Sequence, residues 1–128
     1  MTTAYWCVLV AILLPYVCTV VAKAVGGRYA GGANRDPRAY LDKLQGLPRR
    51  AHAAQLNGFE ITPAFAAAVI IAHLAGGAEQ STLNGLALLF VVSRLAYILC
   101  YLADQATLRS LCWLIGLGSI VALFCVAA

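Results

Sequence analysis

Four stretches of this chain are each long enough and apolar enough to cross a bilayer, and no other feature limits the possible folds so tightly. They run over 3–22, 51–75, 83–103 and 111–128. A helix needs about 20 mostly apolar residues to cross ~30 Å of hydrocarbon. Spanning strands would instead alternate over segments of about 10 residues, a pattern the sequence lacks. Only 11% of the residues are charged and 62% are hydrophobic, whereas about a quarter of a soluble domain is charged. The expected fold is therefore all-α, an integral membrane four-helix bundle making one domain over 1–128. Its helices are expected at about 3–24, 50–75, 82–104 and 108–127, with a loop over 25–49.

The net charge of +4 matters less than where it sits. Seven of the nine basic residues fall between the first two runs: Lys23, Arg28, Arg35, Arg38, Lys43, Arg49 and Arg50. Only Asp36 and Asp42 offset them there. The positive-inside rule then makes the first and third connections cytoplasmic and puts both termini on the other side. No Lys or Arg precedes the first run, so it reads as a retained helix rather than a signal peptide. The basic connection can attract anionic lipid headgroups. Without aromatic interleaving it does not read as a nucleic-acid surface. Within it, residues 38–45 carry a weak amphipathic pattern expected to lie as a short helix at the membrane surface. The five cysteines are odd in number and form no C-x-x-C pair, so they read as small buried apolar residues rather than as a disulfide or metal framework.

Polar residues inside the spans carry the functional signal. Asn57 and Glu60 share a face of the second span, Arg50 extends that face toward the basic end, and Pro63 weakens the helix beside them. In the third span Arg94, Tyr97 and Tyr101 follow the three-then-four spacing of one helix face. Arg94 and Glu60 each lie ten residues from the basic end of their spans, about 15 Å deep at 1.5 Å per residue. They are the only charged residues well inside any span, so an ion pair between them, within a chain or across a subunit boundary, is the expected way to neutralise both. Tyr97, Tyr101 and Arg109 then climb to the basic mouth, making a cleft of hydroxyl and cationic donors with apolar walls. His52 and His73 sit near opposite ends of one helix, too far apart to share a metal, and neither is assigned a role.

These residues resemble the MAPEG family, the membrane-associated proteins in eicosanoid and glutathione metabolism that include the microsomal glutathione transferases. The family's second-helix signature R-A-x-x-A-[HQ]-x-N-x-x-E-x-x-P stands here as R-A-H-A-A-Q-L-N-G-F-E-I-T-P over 50–63. Its third-helix pattern of Arg, Tyr, Tyr and a later Arg stands as Arg94, Tyr97, Tyr101 and Arg109. The resemblance implies a homotrimer with glutathione held at subunit interfaces near the cytoplasmic leaflet. Gln55, Asn57, Glu60, Tyr97 and Tyr101 would bind the tripeptide together with Arg50 and Arg94, and Arg109 would be the catalytic cation that favours the thiolate. Characterised members carry Arg where this chain has Ala53. The implied function is a membrane glutathione-dependent transferase or peroxidase acting on a lipid-soluble electrophile or hydroperoxide. The short loops and the absence of targeting signals are compatible with a bacterial inner membrane. The alternative is a non-catalytic member that binds a lipid or another thiol in the same cleft. A proton-coupled exporter using Glu60 is a third reading, which a neighbouring Arg94 would oppose by keeping the carboxylate ionised.

The charge asymmetry yields a direct test of topology. Expressed in a bacterial inner membrane, a C-terminal alkaline phosphatase fusion should be active and a C-terminal fluorescent-protein fusion dark. The reverse pattern would overturn the orientation.

Overall fold

The computed structural model describes residues 1–27 and 32–128; Arg28, counted above in the first connection, lies outside the described residues. The elements are α1 (Thr3–Val25), α2 (Pro37–Asp42), α3 (Gly46–Ala75), α4 (Gln80–Leu102) and α5 (Ala106–Ala127), with a single 3-10 turn at Gly32–Asn34. Among the described residues all regular structure is helical, and α1, α3, α4 and α5 are long and apolar enough to cross a membrane. The helix expected over 38–45 is the short α2, capped by the Asp36 carboxylate accepting from the Ala39 N–H at 3.1 Å. Leu41 and Leu44 anchor it by burial. At 30 residues α3 is the longest helix, about 45 Å at 1.5 Å per residue. It begins ahead of Arg50 and so projects past the apolar layer on the basic side.

Antiparallel order follows from the end contacts. At one end Asn84 Oδ1 accepts from the Ala4 N–H at 3.0 Å, tying the start of α4 to the start of α1. Tyr5 meets His73 edge-on at the same end, with ring centroids 5.1 Å apart. A left-handed Gly76 at φ 70° closes α3 there, a conformation glycine adopts without a side-chain clash. At the opposite, basic end, α3 begins beside the close of α4.

Small residues set how near the helices come. A Cβ built on Gly58 of α3 would stand 2.7 Å from Pro15 Cγ of α1, so the two backbones touch at this crossing. Pro15 has no N–H to offer the carbonyl of Ala11. Thr62 Oγ lies 3.3 Å from that carbonyl and 2.7 Å from its own helix's Gly58 carbonyl, so one hydroxyl serves the gap left by the proline. Between α4 and α5, Gly116 packs against Ser93. Phe65 and Phe90 stack at 3.8 Å between α3 and α4 and are fully buried. This is how helices associate in lipid, where van der Waals fit replaces the hydrophobic drive. The outward residues are apolar as well, Leu74 (78% exposed), Val20 (67%) and Leu99 (65%) among them.

Because the proline ring is rigid, Gly58→Ala should destabilise the fold by about 1–3 kcal/mol through overpacking. Equilibrium unfolding in mixed detergent micelles would measure it, with Gly85→Ala, which meets nothing within 4 Å, as the reference.

Candidate functional site

The two charged ends of the site residues do different jobs. Arg50 donates from Nε and Nη2 to the carbonyl of Leu102 at 3.3 and 3.2 Å, and its Nη1 lies 3.8 Å from Asp104 Oδ2. It thus satisfies a carbonyl left open at the end of α4 and clamps that end to the start of α3. Arg50 does not extend into the groove described below.

Deeper in, Arg94 is 3% exposed. Its Nη2 donates to Asn57 Oδ1 at 2.7 Å, and Asn57 Nδ2 donates in turn to Glu60 Oε2 at 3.3 Å. The expected ion pair between Glu60 and Arg94 is therefore not made within the chain. Asn57, a turn closer to the basic end, stands between them, while Glu60 stays on the exposed side of α3. Since a guanidinium can only donate, it dictates that the carbonyl of Asn57 faces inward and its NH2 faces Glu60. The second guanidinium nitrogen, Nη1, is buried with no hydrogen-bond partner. The remaining support for the cation is aromatic: Arg94 Cζ sits 4.0 Å from the Tyr97 ring centroid. Tyr97 and Tyr101 meet edge-on at 5.5 Å, and Arg109 Cζ lies 4.3 Å from the Tyr101 ring. Two rings on one face of α4 are flanked by a cation at each end, Arg94 of α4 below and Arg109 of α5 above, and such contacts gain strength when desolvated.

This ladder backs a groove of about 410 Å³ between α3, α4 and α5, lined by Asn57, Tyr97, Arg109, Ser110, Trp113 and Leu114. A smaller hollow of about 190 Å³ continues it toward the middle of the span, where Glu60 is followed by Ile61, Ala64, Leu117 and Ile120. Asn57 and Trp113 belong to both. The site thus has a polar, cationic upper part and an apolar lower part that opens to the outside of the bundle.

Gln55 lies elsewhere. Two residues along a helix is a turn of about 200°, and Gln55 faces away from Asn57 into a hollow between α2 and α3. Its Oε1 is 3.1 Å from His52 Nδ1. His52 Nε2 is 3.7 Å from Asp42 of α2. Sequence reasoning missed Ser110 and Trp113. Trp113 was within reach, being four residues after Arg109 on one helix face, but an apolar span gives a tryptophan no distinction.

The comparisons with known proteins agree with this architecture at the level of the family. The model of the MAPEG family matches residues 3–128, essentially the whole chain. No curated protein and no solved structure matches it. The fold and the site define a multi-pass integral membrane protein with a groove between its helices. The chain belongs to the MAPEG family, which includes glutathione transferases and peroxidases as well as other members.

Replacing Asn57 by Leu strips a buried guanidinium of the amide carbonyl that accepts from it and should cost about 1.5–3 kcal/mol. In Asn57→Leu/Arg94→Leu the loss should be smaller than the sum of the two single losses, since the unpaired charge is gone. A double-mutant cycle on unfolding free energies reads the coupling directly.

Proposed function

We propose that this protein is a glutathione-dependent membrane enzyme, a transferase or peroxidase, that works as a homotrimer. The observation that carries the reading is the Asn57–Glu60 pair, held by Arg94 and open to a groove whose mouth bears Arg109. A charged side chain at the centre of a span costs roughly 2.5–3.5 kcal/mol on insertion scales, so an exposed Glu60 needs a cover. A neighbouring copy supplies that cover in a closed ring of head-to-tail contacts. In such a ring the Gln55 side of one α3 meets the Asn57 side of the next, which accounts for both residues belonging to one ligand site although a single chain parts them.

The residues suit the tripeptide. Glu60 accepts from its ammonium, Asn57 offers NH2, and the Tyr97 and Tyr101 hydroxyls add donors along the ladder. Arg109 stands where a cation lowers the energy of a thiolate. The ligand supplies the nucleophilic sulfur, which either forms a C–S bond with an electrophilic carbon as the leaving group departs, or takes the terminal oxygen of a hydroperoxide and releases an alcohol. The apolar lower hollow receives the lipid-soluble partner from the bilayer. Arg50, spent on Leu102 and Asp104, stays outside the ligand set, and Arg94 acts through Asn57 rather than by contact. The basic first connection puts the mouth on the cytoplasmic side, as in a bacterial inner membrane.

Ultraviolet thiolate absorbance of detergent-purified protein with glutathione at neutral pH tests this. The wild type should show the signal, and Arg109→Ala should lose it while still binding the peptide. Binding with no thiolate in either protein would favour the alternative, a non-catalytic member that holds a lipid or thiol in the same groove.

A further inference from the structure

The five cysteines differ sharply in their surroundings. Cys7 and Cys18 of α1 are buried, and Cys125 lies exposed near the end of α5 that is far from the basic side. Cys100 of α4 and Cys112 of α5 are half-buried and free, and their two thiols are hydrogen-bonded to each other. No C-x-x-C spacing announces this pair; the α4–α5 hairpin makes it. At the turn the Gln105 N–H donates to the Cys100 carbonyl at 2.8 Å, and Asp104 reverses the chain at φ 60°. Helix α5 then returns along α4, with Arg109 over Tyr101 near the turn and Gly116 against Ser93 deeper in. Position 112 lies between these contacts on α5 and position 100 lies between them on α4, so the register brings the sulfurs together. A disulfide needs side chains that face each other and sulfurs that close to about 2 Å. Thiols already in hydrogen-bond contact meet the first demand and need little movement for the second.

We propose that Cys100 and Cys112 are a redox pair that an organic hydroperoxide oxidises to a disulfide stapling α4 to α5. One thiol attacks the terminal peroxide oxygen, the O–O bond breaks, and the departing alkoxide takes the thiol proton and leaves as an alcohol. The second thiol attacks the resulting sulfenic acid, forming the S–S bond and releasing water. Two thiols thus give up two electrons and two protons, and the hydroperoxide is reduced to alcohol and water. An external thiol restores the pair by exchange. Both residues lie in spanning helices, toward their basic ends, where an apolar hydroperoxide arrives from the bilayer. The chemistry uses only the protein's own sulfurs and is independent of glutathione. Tyr101 follows Cys100 and Trp113 follows Cys112, so the staple fixes both helices where Tyr101 carries Arg109 and Trp113 lines the groove. In a reducing compartment such a bond lasts only while oxidant is present, which makes the pair a sensor rather than a permanent brace.

The test treats reduced, detergent-purified full-length protein with cumene hydroperoxide, then denatures it, alkylates it and weighs it intact, with peptides mapped. The wild type should lose two of its five alkylatable thiols, yield a linked peptide joining Cys100 to Cys112, and recover both thiols with dithiothreitol. Cys100→Ser and Cys112→Ser should each form no disulfide, and in one of them dimedone should label the surviving sulfur as the sulfenic acid. Cys18→Ser should form the bond as the wild type does. Followed by circular dichroism, the oxidised wild type should melt at a higher temperature than the reduced form, while hydroperoxide should leave both half-pair variants unshifted. Five thiols surviving the oxidant, a disulfide that joins other cysteines or two chains, or a Cys100–Cys112 bond that leaves Tm unmoved would each overturn the proposal.

Discussion

A guanidinium buried at mid-bundle is the constraint around which the rest of the site is arranged. Arg94 is 3% exposed and finds no carboxylate within 4 Å among the described residues. It is held by the carbonyl of one amide at 2.7 Å and the face of one ring at 4.0 Å. Leaving such a charge wholly unmatched in a low-dielectric interior is costly, so the positions of Asn57 and Tyr97 are obligatory. Once Asn57 is pinned through its oxygen, its NH2 has one direction left, toward Glu60 and the groove. Tyr97 pinned beneath the cation likewise sets Tyr101, and Tyr101 carries Arg109. A buried cation at the base thereby orients, through two rings, a second cation at the mouth.

The same arrangement leaves Glu60 uncovered. Glu60 receives one hydrogen bond from Asn57 and is otherwise open on the exposed side of α3. Polar groups in hydrocarbon are tolerated where they are buried in protein or line a wet cavity. In the proposed trimer, a subunit boundary over Glu60 would answer that need and would turn two half-grooves on opposite faces of α3 into one site. The crossing of Gly58 over Pro15 brings α1 against α3 between these faces. Rigidity at that crossing keeps the separation between Gln55 and Asn57 constant, as the proposed site between two copies would require.

Much of this was legible in the residues, and the reasons are physical. Spanning helices in lipid must satisfy their own backbone, so four runs of about the right length leave almost no other fold. Two motifs placed Asn57, Glu60, Arg94, Tyr97, Tyr101 and Arg109 on facing helices because helical spacing sorts residues by face. What misled was depth. Counting from the basic end gave Glu60 and Arg94 equal depth, yet the long Arg94 side chain meets Asn57, a turn away. A guanidinium reaches several ångströms beyond its Cα, so equal Cα depth does not make a pair. Arg50 is engaged by the open carbonyl of Leu102 at the end of α4, a partner that helical spacing does not reveal.

The sequence alone thus determined the all-α membrane bundle, its antiparallel order and the set of polar residues inside it, because hydropathy, charge placement and helical period act locally along the chain. Tertiary structure decided which of those residues meet. It interposed Asn57 between the two buried charges, assigned Arg50 to a helix end, and joined Trp113 and Ser110 to the groove. It also set Gln55, Arg38 and Arg49 on the far side of α3. Those outcomes depend on how closely two helices approach at Gly58 and Gly116 and how far each side chain reaches across the gap, and no period in the sequence encodes either distance.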